Sequence, residues 1–167
     1  MSFSIHVLVL NQEKPINLDF ESQIELQNEK KHKINMGRYY DMWPFLMKQK
    51  GILYLLCIDH EGVQDSYPIC YGDFKAKNIK KPYWIYDQRI RSHLVPFLVK
   101  PEYRFDFEKI IRFLIDKSPE KTIFFHTRFQ GGDDEIICGT LSLPDFFAML
   151  DHNRILFNVC YILQDNL

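Results

Sequence analysis

At 167 residues, with 46% hydrophobic and 15% aromatic content, the chain is long and apolar enough for one cored domain, and its 14 Phe and 9 Tyr exclude general disorder. A formal net charge of −1 excludes binding of nucleic acid by bulk charge, and no run approaches the roughly 20 apolar residues that span a bilayer. The charge is nevertheless segregated: residues 75–104 carry +6, residues 1–74 carry −3 and residues 105–167 carry −4, a layout that orients a charged partner before contact.

Phe3 to Leu10 is rich in Ile, Val and Leu with partial alternation, which predicts a first strand. It lacks the basic start and small-residue cleavage site of a signal peptide, so a soluble, cytoplasmic protein is expected. Ile16, Leu18 and Phe20 alternate with polar residues and are continued by Ile24 and Leu26, predicting a second strand bent near Ser22; Asn28 to Asn35 reads as a polar loop. Met42, Trp43, Leu46 and Met47 recur at helical spacing, so a short helix is expected within Tyr39 to Lys50, starting late because of Pro44 and closed by Gly51. Ile52 to Ile58 is a continuous apolar run, as in a strand buried on both faces, and Asp59-His60-Glu61-Gly62 turns it. Residues 63–104 contain Pro68, Pro82, Pro96 and Pro101 and read as irregular structure with short strands, Arg91 to Val99 being extended or briefly helical.

Asp106 suits an N-cap, and Phe107, Ile110, Ile111, Leu114 and Ile115 make one helical stripe that Pro119 ends. Residues 122–163 then read as a β-hairpin–helix–strand unit. Thr122 to Phe129 and Glu135 to Ser142 form the hairpin arms about Gln130-Gly131-Gly132-Asp133-Asp134. Pro144 opens a helix with Asp145 in its first turn and Phe146, Met149 and Leu150 toward the sheet, and Ile155 to Leu163 closes the unit as a strand. The expected fold is α+β: a single domain over residues 1–167, with a mostly antiparallel β-sheet and about three helices packed on it.

The chemistry-bearing residues do not assemble into a catalytic set. Cys57, Cys138 and Cys160 sit in apolar runs and read as small buried hydrophobes; Cys70, after Pro68, is the one thiol expected to reach the surface, and no disulfide or metal-ligand spacing exists. There is no GxSxG motif, and Ser142 fits the start of a helix. His6 and His126 lie in apolar strands and read as structural. Asp59-His60-Glu61 is ligand-capable, yet it is also the composition of a solvated turn, and neither a metal nor another cofactor is expected.

The sharpest enzymatic alternative is a metal-dependent nuclease. Asp59 at a strand end and Asp73-Phe74-Lys75 would hold a divalent ion and activate water, with Lys75, Lys77, Lys80 and Lys81 tracking phosphates. Docking is the favoured reading. Asp133, Asp134 and Glu135 form an anionic knob at a loop tip. Tyr83, Trp84 and Tyr86, with Arg89 and Arg91, are residue types that anchor interfaces. A structural subunit of a larger complex is a third possibility, signalled by an exposed apolar face.

The stretch TIFFHTRFQGGDDEIICGTLSLPDFFAMLDHNRILFNVCYIL resembles the immunity proteins of bacterial toxin–immunity systems, including contact-dependent growth inhibition, in its hairpin, Leu-Pro-Asp-Phe-Phe helix and last strand. The resemblance covers about a quarter of the chain. It implies a non-catalytic cytoplasmic protein that binds and neutralises one cognate protein toxin, a nuclease among the candidates, with no membrane or nucleic-acid partner.

Overall fold

The computed structural model describes residues 3–29, 46, 48–71, 95–129 and 136–165. Its centre is a seven-stranded sheet built from β1 (Phe3–Leu10), β2 (Glu25–Glu29), β3 (Gly51–His60), β4 (Val63–Asp65), β7 (Thr122–Phe129), β8 (Ile136–Ser142) and β9 (Val159–Gln164). A separate two-stranded ribbon joins β5 (Cys70–Tyr71) to β6 (Leu98–Val99). The order across the sheet is β2-β3-β1-β7-β9-β8, with β4 paired to the C-terminal end of β3. Every pair is antiparallel except β8 with β9. The α+β class and the mostly antiparallel sheet agree with the sequence.

The predicted hairpin of Thr122–Phe129 with Glu135–Ser142 does not form, because β9 lies between the two arms and pairs with both. The reason is burial. β9 (VCYILQ) is apolar on both faces and is covered on both, whereas β8 has Ile137, Gly139 and Thr140 exposed and suits an edge. The register of β8 shifts between Cys138 and Thr140, a bulge that turns this edge.

Two α-helices lie among the described residues, α1 (Pro101–Lys117) and α2 (Leu143–Asp151). Most of the helix expected within Tyr39 to Lys50 falls outside them. Gly51, expected to close it, opens β3 instead: its φ is +149°, and a Cβ there would stand 2.2 Å from the Val9 carbonyl oxygen. The stripe of α1 is buried as predicted, but the helix starts five residues before Asp106, with Lys100 at the N-cap and Pro101 in the first turn, where a missing N–H costs nothing. The Asp106 carboxylate accepts the Gln23 N–H at 2.8 Å. In α2, Ser142 is the N-cap and its Oγ accepts the Asp145 N–H at 3.2 Å; Phe147 joins Phe146 and Leu150 in the buried face, while Met149 is half-buried.

The second predicted strand is shorter than expected. β2 begins only at Glu25, and Ile16, Leu18 and Phe20 cover the core from an irregular segment held by side chains, with the Tyr54 hydroxyl accepting the Ile16 N–H at 2.9 Å. Asn28 and Glu29, expected in a loop, belong to β2.

The main core lies between the helices and one sheet face. Phe97, Phe107, Phe125, Phe146 and Phe157 form a chain of rings with centroids 5.0–5.9 Å apart, a spacing that adds to their area burial. The helices are clamped over it by Phe147, which lies beneath both Arg104 and Arg112 at 5.2 and 4.9 Å. Glu108 pairs with each guanidinium, at 3.8 and 2.8 Å, and Asp151 on α2 holds Arg104 at 2.9 Å. On the opposite sheet face Leu8, Leu53, Phe124 and Cys160 cluster with Leu46.

Candidate partner-binding site

The strand directions bring one set of ends together. The N-termini of β1, β2, β8 and β9 and the C-termini of β3 and β7 share one end of the sheet. Residues 95–97 run beside 155–157 there: Phe97 N–H donates to Ile155 O at 2.7 Å, and Phe157 N–H to Val95 O at 2.8 Å. Asn158 N–H donates to Thr127 O at 2.7 Å. Ser66 closes the β1–β3 side, its Oγ accepting the Ile5 N–H at 3.1 Å and donating to Leu56 O at 2.6 Å. Tyr67 stacks on Phe3 with centroids 5.5 Å apart.

This end is unusually apolar outside. Among the described residues five large hydrophobics are exposed, and four of them, Val63, Tyr67, Tyr71 and Ile137, lie at or beside it. The fifth, Phe105, projects from the start of α1. Val63 and Tyr67 are neighbours on the β3–β4 hairpin and the turn after it, Tyr71 lies on the separate ribbon, and Ile137 stands four strands from β3 at the other edge. Exposed apolar side chains spread along one end of a sheet suit a contact surface.

The sequence-predicted docking residues Asp133, Asp134, Glu135, Tyr83, Trp84 and Tyr86 lie outside the described residues, as do Arg89, Arg91, Asp73 and Lys75. The described flanks locate where those segments depart. Residues 72–94 follow Tyr71 and precede Val95, and the pairs Cys70–Val99 and Tyr71–Leu98 tie the two flanks into one ribbon. Residues 130–135 connect Phe129, opposite Phe3, to Ile136, opposite Val159. Both segments therefore leave from the end that carries the exposed apolar residues.

Asp59 stands at this end too, with a local task. Glu61 and Gly62 have φ of +55° and +83°, the pattern of a type I′ turn, and the Asp59 carboxylate accepts the Gly62 N–H at 2.9 Å. Asp59, His60 and Glu61 are exposed, and among the described residues no three His, Cys, Asp or Glu gather as a metal site.

The thiols are poor nucleophiles. None of the four forms a disulfide and all are buried, including Cys70, which is expected at the surface but is enclosed by the ribbon it starts. Burial pushes the Cys57 thiol up to about 11, reinforced by Glu25, Glu29, Asp59 and Asp65, and the Cys70 thiol up to about 12, with Lys100 partly opposing.

One arrangement was hidden from the sequence. His6 stands opposite His126 across β1 and β7, and His126 opposite Cys160 across β7 and β9, so the three share one row on the second sheet face. Burial lowers His6 to about 4 and His126 to about 3, with Arg128 adding to both and His6 adding to His126. Both imidazoles are therefore neutral at pH 7. Their matching parity in apolar strands is visible in the sequence; the pairing that joins them is not.

No helix among the described residues is long and apolar enough to cross a membrane. The chain matches no protein-family model, no curated protein and no solved structure.

Proposed function

We propose that this chain is a non-catalytic binding protein of immunity type, which acts in the cytoplasm and neutralises a cognate bacterial toxin by covering part of its surface. The observation that carries the reading is that four of the five exposed large hydrophobics among the described residues, Val63, Tyr67, Tyr71 and Ile137, lie along one end of the sheet. That same end is where residues 72–94, with Tyr83, Trp84 and Tyr86, and residues 130–135, with Asp133, Asp134 and Glu135, depart. Apolar anchors beside segregated charge suit recognition of a protein surface, the apolar part giving affinity and the charge giving rate and register.

The test is growth. Cells producing the toxin domain encoded next to this chain are expected to survive when the chain is co-produced, and the two purified proteins to form a 1:1 complex at about nanomolar concentration. Unprotected cells and no complex would reject the reading. Cleavage of nucleic acid by the isolated chain, dependent on added Mg²⁺ and lost in Asp73→Ala, would replace it with the nuclease alternative.

A further inference from the structure

We infer that the toxin-facing surface includes the β3–β4 hairpin and the adjoining start of β2, and that it receives a cationic protein surface carrying an apolar contact for Val63 and Tyr67. This rests on the binding reading above and assigns to it a location and a partner chemistry. The apolar part comes first: Val63 is 63% exposed and Tyr67 46% exposed, four residues apart on one hairpin and the turn after it. Nothing in folding calls for a valine at the hairpin tip. The hairpin geometry is already set by the type I′ turn at Glu61 and Gly62, by the Asp59 carboxylate on Gly62 N–H, and by pairing of His60 with Val63.

The rim is of one sign. Glu25 and Glu29 lie on β2, Asp59 ends β3, Glu61 is in the turn and Asp65 ends β4, while β2, β4 and the β3–β4 turn contain no Lys or Arg. Glu25 stands opposite Cys57, and Gln27 on β2 hydrogen-bonds Gln64 on β4, so β2 and β4 present one continuous border. All four carboxylates Glu25, Glu29, Asp59 and Asp65 lie on β3 or on strands paired with it, Glu25 opposite Cys57 and Asp65 opposite Ile58.

Two glutamates on β2 alone would be accounted for as protection of a sheet edge. The apolar residues beside them are not protective, and together with the acidic border they match a basic surface that has an apolar centre. On the other side Lys100 lies over Tyr71 at 5.8 Å and bounds the patch there.

The experiment uses the full chain and the purified toxin domain encoded beside it. Glu25→Lys with Glu61→Lys is expected to slow association about tenfold at low salt, with the difference fading as ionic strength rises toward about 1 M. Val63→Ser is expected to act differently, raising the dissociation rate about tenfold with little change in salt dependence. Glu25→Gln with Glu61→Gln guards against a folding artefact, and should give a smaller slowing at an unchanged melting temperature. If the wild-type chain protects cells and binds, but all three variants bind like wild type, the proposed surface is wrong and the immunity reading survives. If the wild-type chain neither protects nor binds, the immunity reading falls and this inference falls with it.

Discussion

His6 and His126 sit in the interior of β1 and β7, and burial is the first cause of the low proton affinity of each. The consequence for stability has a definite sign. An unfolded chain protonates these imidazoles near pH 6.5, whereas the folded chain resists until about pH 4 at His6 and about pH 3 at His126. The unfolded state thus binds more protons below pH 6.5, and stability is lost as pH falls through that window. Urea denaturation at pH 7 and pH 5 should differ by roughly 2–4 kcal/mol, and His126→Gln should reduce that difference by about half. A flat profile between those pH values would mean that the two imidazoles are solvated. The thiols give a second residue-scale test. With Cys57 and Cys70 raised to about 11 and about 12 and all four cysteines buried, iodoacetamide at pH 8 should label the native protein slowly and all four sites only in denaturant. Cys57, Cys138 and Cys160 were readable as buried from their apolar neighbours. Cys70 was not, because its cover is a ribbon partner 29 residues away at Val99.

Elements with a local period were legible. The Phe107–Ile115 stripe of α1 and the Ser142–Pro144 start of α2 follow from side chains close in sequence, and both appear. Elements defined by a distant partner were not. Ile16, Leu18 and Phe20 alternate like a strand, but the alternation reflects half-burial against the core in a segment without a sheet neighbour. Gly51 and Gly62 show the same division. Gly62 serves a turn visible in the sequence, and a methyl group there meets nothing within 4 Å, so Gly62→Ala should cost only the backbone strain of its positive φ, about 1–2 kcal/mol. Gly51 is required by the β1 backbone, which no local pattern announces. Gly51→Ala drives a Cβ onto the Val9 carbonyl and should cost more, about 2–4 kcal/mol. Equal melting temperatures for the two variants would contradict the close approach of β1 and β3.

At the scale of the molecule the decisive fact is the order β2-β3-β1-β7-β9-β8, in which the last strand of the chain is interior. The strand and helix segments of the C-terminal stretch are legible in its sequence, which nevertheless suggests a hairpin, because adjacency in sequence is the usual guide to adjacency in a sheet. Two-sided burial overrules it here. Thr122 to Thr127 of β7 are buried and β9 is nearly so, and placing β9 beside β7 covers both while leaving the bulged β8 at the edge. The order also separates the interior that holds the fold from the end proposed to meet a partner. Native-state hydrogen exchange can read this separation. Amides of Ile123–His126 in β7 and Cys160–Leu163 in β9 should exchange only through global unfolding, while those of the β8 edge, the β4 hairpin and Tyr71 should exchange through local opening several orders of magnitude faster. A hairpin of β7 with β8 would reverse the pattern, protecting β8 and leaving β9 at the edge. Binding of the toxin domain should then slow exchange at β4 and the start of β2 while leaving the β7 and β9 amides as they were, because a partner that docks on the acidic hairpin stabilises the parts that open locally first.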